Sequence, residues 1–388
     1  MGSLRLAYCV AAIGGLLVGG LVAIAIYDRV LDALTQDARE ELELEIAQRA
    51  PSELTTFDQL VNVELRTVEL FFRYFDTLPE ETVNEVFAAA FPEFGDGTRR
   101  SPPSYFDGHV SEDGTLTYGI GAFAGLRAGL DADQKRILTA AFLTVRQAGP
   151  ALAGELDNLY FTDANDNLIM FGPDREDRLL FYRERAPADF SFQSLPIVEV
   201  VKPANNPMGS TACTGLDRII SQTDGTALTI GCLTPLRAAG RHLGSIGTTL
   251  DTTDYLYTAV TEPGAAIITR SGELIAHRDL LQDAAIDRSR ADEVARRIQP
   301  EIMARTINGQ GRPSGVVEHP GRNGQIGYIR LSAPGWYIVN YREYGPVELQ
   351  AAGFALAIAM IILIAFLSQA RLIARYLPFG PNARLNEH

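Results

Sequence analysis

Two uncharged runs bound what this chain can become. No Asp, Glu, Lys or Arg lies between Arg5 and Asp28, and none lies between Glu348 and Arg371, so each run offers 22 uncharged positions. A helix rising 1.5 Å per residue needs roughly 20 to cross a hydrocarbon core. Both runs read as transmembrane helices, within residues 1–27 and 347–370. The first also admits a second reading as a cleaved signal peptide, with Arg5 as its basic start and Ala23-Ile24-Ala25 as the small-residue site. Either way residues 28–348 are exported. Arg5, Arg371, Arg375 and Arg384 lie on the outer flanks of the runs, while Asp28, Asp32, Asp37 and Glu348 lie on the inner ones. Excess Lys and Arg mark the cytoplasmic side, so both termini are expected in the cytoplasm.

Composition narrows the function of the enclosed segment. Removing the four flanking arginines and Glu387 from totals of 34 basic and 48 acidic residues leaves 30 against 47, a net charge of −17. Such a domain repels nucleic acid and anionic lipid. Cys9 sits inside the first run, which leaves Cys213 and Cys232 as the outer pair. Their midpoint falls beside Thr223-Asp224-Gly225-Thr226, a turn sequence, so a cross-strand disulfide in an oxidising compartment is one reading and two separate buried thiols the other.

Hydrophobic periodicity gives a coarse plan. Val30, Leu31, Leu34, Ala38, Leu42 and Ile46 recur at helical spacing; Pro51 is expected to interrupt that helix, and a second follows from about Ser52 to Phe75 with Leu60, Val63, Leu65, Val68, Leu70, Phe71 and Phe75 as its apolar face. This stripe serves either core packing or pairing with a second copy of the chain. Pro79 opens a short helix to about Ala90. Residues 95–125, rich in Gly, Pro and Ser, read as loop with short strands. Asp131 starts a helix to about Arg146 that Gly149-Pro150 is expected to stop. Short strands follow: 159–162 and 168–171 around an Asp163-to-Asn167 turn, then 227–234 and 243–250, then a strand, two-residue turn and strand within 264–277. A helical stretch around 291–306 and strands at 325–331 and 336–341 complete the plan.

In this order the phrases Leu243-Gly244-Ser245-Ile246-Gly247, Ile267–Arg278 and Pro334-Gly335-Trp336-Tyr337-Ile338-Val339 resemble the double Cache sensor regions of bacterial transmembrane receptors. Those receptors include histidine kinases, chemoreceptors and diguanylate cyclases. The resemblance implies an α+β fold: a long N-terminal helical stalk with two PAS-like antiparallel-sheet lobes, flanked by two transmembrane helices in the inner membrane. The implied division is a stalk and start of the distal lobe at 28–150, a membrane-distal lobe at 151–258, a membrane-proximal lobe at 259–346 and a tail at 371–388. It also implies a ligand pocket in the distal lobe. Amino-acid-binding members carry a Tyr and Arg followed by a Trp-Tyr pair, and an Asp on the last distal strand. Here the nearest stretch is Phe181-Tyr182-Arg183-Glu184-Arg185 without a following Trp, and the Asp position falls near Thr249.

Tyr182, Arg183, Arg185 and Phe190, with Phe192, are the candidate pocket walls, since aromatic faces with a guanidinium suit an anionic or planar small ligand. The competing reading pairs these arginines with Asp177, Glu184 and Asp189 at the surface. Asp163, Asn165 and Asn167 have the spacing that opens a calcium loop, but Leu168 stands where Gly is required and Asp174 where Glu is usual, so a solvated hairpin turn is expected. The five histidines are scattered and no zinc spacing or phosphate loop occurs, so no metal, cofactor or catalytic residue is expected. Residues 371–388 are too few to bury a core. The expected function is extracytoplasmic small-molecule sensing as the input portion of a receptor, with a separate output protein and a homodimer through stalk and spans as candidate partners. The alternatives are a membrane-anchored exported binding or assembly protein, or an exported enzyme.

Overall fold

A computed structural model of the chain describes residues 2–112, 114–125, 130–153, 158–173, 179–216, 229–282 and 285–376. The turn at 223–226, Asp174, Asp177 and the tail beyond residue 376 lie outside the described residues. Two compact units emerge: one is Met1–Gln48, Gly315–Gly327 and Tyr341–His388, the other Arg49–Ser314 and Tyr328–Asn340.

Helix α1 (Gly2–Thr77) begins in the first unit and continues into the second. It runs through Pro51 instead of breaking there. Pro removes one intrahelical bond and crowds the carbonyl four residues back, a cost of about 3 kcal/mol. Here the ring is exposed, where water can serve the freed carbonyl, and buried Leu42, Ile46, Ala50, Phe57 and Leu60 keep one face of the helix docked on either side of it. The docked line continues through Glu64, Thr67 and Phe71, whereas Leu65, assigned to it by periodicity, faces out.

In the first unit the apolar start of α1 and the C-terminal helix (Gly345–Tyr376) are long and apolar enough to cross a membrane. They pack through glycine: a Cβ on Gly15 would stand 3.1 Å from Phe366 Cβ and 3.2 Å from Leu363 Cδ1, and one on Gly19 would stand 3.4 Å from the Ala359 carbonyl. Small residues are what let apolar helices approach without a hydrophobic driving force. Val10, Leu17, Leu21, Leu356 and Ile361 remain exposed, as lipid-facing side chains would be. Further along, Arg342 binds the carboxylates of Glu41 and Glu45, and Tyr344 Oη donates to Glu318 at 2.9 Å.

The second unit holds a seven-stranded antiparallel sheet of strands β1 (Arg99–Arg100), β4 (Ile120–Ala124), β5 (Leu159–Thr162), β6 (Leu168–Phe171), β7 (Ala212–Cys213), β8 (Thr229–Ala238) and β9 (Arg241–Asp251), in the order β1-β4-β6-β5-β9-β8-β7. Strands β2 (His109–Val110) and β3 (Leu116–Thr117) form a separate pair. Period-two alternation divides the sheet's faces. Ala122, Phe161, Ile169, Phe171, Leu236 and Ile246 pack with Phe71 of α1, Phe87 of α2 (Glu80–Ala90) and Phe142 of a later helix, α4 (Ala132–Leu152); the four-residue α3 is Ser104–Asp107. Phe123, Tyr160, Leu168, Met170 and Leu233 face the other way, under a cover drawn from residues 179–201.

Helix α4 begins as expected, with Asp131 accepting from Gln134 N at 2.8 Å, but passes Gly149-Pro150 and ends at Leu152. Gly149 is there for packing: the Phe171 ring occupies the place a Cβ would take. The β8–β9 hairpin turns on Ala239 (φ 48°) and Gly240 (φ 79°), both left-handed as a two-residue primed turn requires.

A second sheet runs β11 (Leu274–His277), β10 (Ala265–Thr269), β16 (Trp336–Glu343), β15 (Gly324–Leu331), β14 (Ser314–Glu318). The β10–β11 connection has four residues rather than two, with a bulge between Ile267 and Ile268, and β14 has no counterpart in the sequence plan. Residues Leu281–Gln282 and Ala285–Ile286 form a small pair, β12 and β13. The helical stretch after it is two helices, Ala291–Ile298 and Pro300–Asn308, because Gln299 takes a left-handed conformation (φ 57°) before Pro300. The fold is thus a long N-terminal helix, antiparallel sheets in two lobes and an apolar C-terminal helix, as the α+β expectation had it.

Candidate functional site

The exposed-side cover of the seven-stranded sheet gathers the residues that chemistry can use. Residues Phe181–Arg185 form one wide π-helical turn, and Arg100 from β1 donates to the carbonyl of Tyr182 within it and to that of Ala186 just after it. Arg100 is 2% exposed; its Nη2 donates to the Ala186 carbonyl at 2.7 Å and to Asp96 Oδ2 at 2.6 Å, Nε to Thr98 Oγ1 at 2.9 Å, and the guanidinium lies 4.2 Å from the Phe94 ring centroid. This arginine, with all three nitrogens bonded, is structural.

Arg183 is its opposite. It is 5% exposed, its Cζ lies 4.8 Å from the Phe106 ring centroid, and Gly121 on β4 leaves room for its stem, since a Cβ there would sit 3.3 Å from Arg183 Cγ. Among the described residues its Nε and Nη1 are buried with no hydrogen-bond partner, and Nη2 reaches the half-exposed Glu184 carboxylate at 3.7 Å. A buried guanidinium has five donors and no route to neutrality.

The turn brings Tyr182 and Phe190 together: Phe181 and Phe190 meet edge-on at 5.2 Å, and Tyr182 and Phe190 at 6.2 Å, while Arg183 of the same turn packs on Phe106. Phe192, 6.0 Å from Phe190, is buried below them. Arg185 is exposed and lies off that layer, as is Asp189.

The Asp163–Asn167 turn anchors this cover, and it is buried rather than solvated. Asp163 Oδ1 accepts from the backbone N of Asn165 (2.8 Å) and Asn167 (3.1 Å), and Oδ2 from Gln134 Nε2 (2.7 Å) and Asn167 Nδ2 (2.8 Å). Burial pushes its pKa up against those bonds. Asp166, left-handed at φ 60°, accepts through Oδ1 from Ser191 Oγ, Phe192 N and Gln193 Nε2 at 3.0–3.1 Å. Both carboxylates therefore serve amide and hydroxyl donors as a turn does, and among the described residues no cluster of three His, Cys, Asp or Glu could hold a metal.

On the sheet's opposite face, Cys213 and Cys232 face each other across β7 and β8 and form a disulfide. Beside it Glu64 of α1 is wholly buried: Oε2 accepts from Thr234 Oγ1 at 2.6 Å, Oε1 has no partner, and burial pushes its pKa up to about 8.

Sequence reasoning missed Arg100, Asp166, Glu64 and the polar row Thr162, His242 and Ser245 described below. Only Glu64 left a trace, as one acid at the helical spacing of an apolar line.

No family model matches the chain, and no curated protein does. Solved structures similar to it are sensor ligand-binding domains. That of Mlp24 with asparagine is 12% identical, over 84% of this chain and 98% of that one, with a TM-score of 0.39. That of the Pseudomonas fluorescens chemoreceptor CtaA in complex with L-alanine is 17% identical, over 53% and 80%, with a TM-score of 0.34. That of the Pseudomonas aeruginosa amino acid chemoreceptor PctB in complex with L-arginine is 16% identical, over 52% and 76%, with a TM-score of 0.34.

Proposed function

We propose that this chain is the sensing part of a transmembrane receptor, whose extracytoplasmic domain binds a small anionic ligand at Arg183. Arg183 carries the reading. Burying a charged group without partners is costly, and among the described residues two of its nitrogens have no acceptor. A carboxylate meets a guanidinium through two parallel bonds, and would satisfy both at once. The Phe106, Tyr182 and Phe190 rings suit an apolar or planar remainder of the same molecule. Thr249 stands near the position where amino-acid-binding sensors place an acid, and its backbone N already donates to Asn158 Oδ1. We therefore favour a carboxylate without a charged amine over an amino acid.

Binding becomes a signal only if the ligand favours one arrangement of the domain over another. Helix α1 runs from the apolar N-terminal span into the core of the seven-stranded sheet, which makes it the physical link between the site and the membrane.

Thermal unfolding of the full chain in nanodiscs, with a panel of monocarboxylates, tests this. A ligand selective for the folded state raises Tm in a saturable way. Arg183→Gln should abolish the rise, and Arg183→Lys, which keeps charge but loses the fork, should weaken it. No response from any carboxylate, or an undiminished response in Arg183→Gln, would refute the reading.

A further inference from the structure

On the same sheet face, strands β5 and β9 hold a second group of unused polar atoms. Thr162 on β5 lies opposite Ser245 on β9, next to the Tyr160–Gly247 pair. Thr162 is 4% exposed and Ser245 1%, and Thr162 Oγ1, Ser245 Oγ and the neighbouring His242 Nδ1 all lack hydrogen-bond partners among the described residues. All three residues line one cavity of about 520 Å³, walled on the far side by Val198 and Val201 from the cover. Buried polar groups are ordinarily paired, so three residues with unpartnered polar atoms bordering one apolar-walled space need only a side-chain rotation to offer those atoms to a partner.

We propose that this cavity is a second small-molecule site, taking an uncharged molecule with a hydroxyl or amide group on a compact apolar body. The choice of an uncharged ligand follows from what the charged lining residues already do. Asp163 has both oxygens occupied by the four donors named above. Lys202 Nζ donates to the Gln193 carbonyl at 2.8 Å and pairs with Glu199. No charge is left over to balance an ionic ligand, whose burial here would be unpaid in Coulombic terms. Two hydroxyls can each donate and accept, and burial together with Arg237 holds His242 below its usual pKa, so the imidazole is neutral at pH 7. Such a set matches an amide or alcohol on both its donor and acceptor sides, while Val198 and Val201 take its hydrocarbon part. The two sites are separate in chemistry, one for an anion and one for a neutral molecule.

A matched pair of probes tests the proposal in full-chain protein in nanodiscs: isobutyramide, and isobutyrate, which has the same shape but a charge. Isobutyramide should raise Tm saturably, and the Thr162→Val/Ser245→Ala double variant should lose that response. Ala204→Phe, which fills the cavity from a lining position and leaves the sheet residues unchanged, should lose it too and serves if the double variant fails to fold. Arg183→Gln should leave the isobutyramide response intact, so failure of the anion site and failure of this one are told apart. The proposal is overturned if the wild type ignores isobutyramide, as it would if the cavity holds only water. It is equally overturned if the variants respond as the wild type does, or if isobutyrate acts through Thr162 and Ser245.

Discussion

Glu64→Gln is the perturbation whose consequence can be worked furthest. Glu64 is buried with one oxygen bonded to Thr234 and the other unpartnered, and its pKa rises from 4.5 to about 8. An unfolded chain ionises this carboxyl above pH 4.5, whereas the folded chain keeps it protonated until about pH 8. Through that window the folded state binds more protons, so stability falls as pH rises and levels off beyond pH 8. A shift of this size, at 1.36 kcal/mol per unit, costs about 5 kcal/mol once pH 8 is reached. Glutamine keeps the acceptor for Thr234 and cannot ionise, but it places an NH₂ where Oε1 has no partner, a pH-independent cost of about 1–3 kcal/mol. The signs therefore cross. At pH 5 the wild type is the more stable; at pH 8 the variant is, by about 2–4 kcal/mol, or several degrees in Tm at roughly 2–4 °C per kcal/mol. Circular dichroism melts of both full-length proteins in nanodiscs from pH 5 to 9 read this directly. A difference that does not change with pH would show that Glu64 titrates normally and that its burial is not felt.

Other outcomes follow from the same geometry. Arg183→Met, which removes an unpaired buried charge, should raise unliganded stability by about 1–3 kcal/mol while losing the carboxylate response, both seen as Tm. Reduction of Cys213–Cys232, which closes a loop of sequence separation 19, should lower stability by about 3 kcal/mol in denaturant titration with and without reductant. Gly15→Leu should separate the two apolar helices, because Phe366 and Leu363 already stand within 3.2 Å of a Cβ there; crosslinking between cysteines placed at Gly19 and Ala359 should fall. Gly149→Ala should cost about 1–3 kcal/mol by thermal melt, since the Phe171 ring must move.

What could be read from the sequence was whatever depends on neighbours along the chain. The two long apolar helices are visible because no charge interrupts 22 consecutive positions in either run. The hairpins at 159–171 and 229–251 are visible because turn residues interrupt short β-branched and aromatic runs. Tyr182, Arg183 and Phe190 could be picked out as a composition, but their division of labour could not. Arg100 and Arg183 are both buried arginines near aromatic rings, and the tertiary structure alone bonds all three nitrogens of one and leaves the other with two nitrogens unpaired among the described residues. Pro51 and Gly149-Pro150 show the converse: local propensity asks for breaks, and packing on either side outweighs a penalty of about 3 kcal/mol. Thr162, His242 and Ser245 carry no signal in the sequence at all, because they are brought together by strand register across 80 residues of chain. A sequence records the preferences of each segment; whether a polar atom finds a partner depends on segments far away, and only their packing decides it.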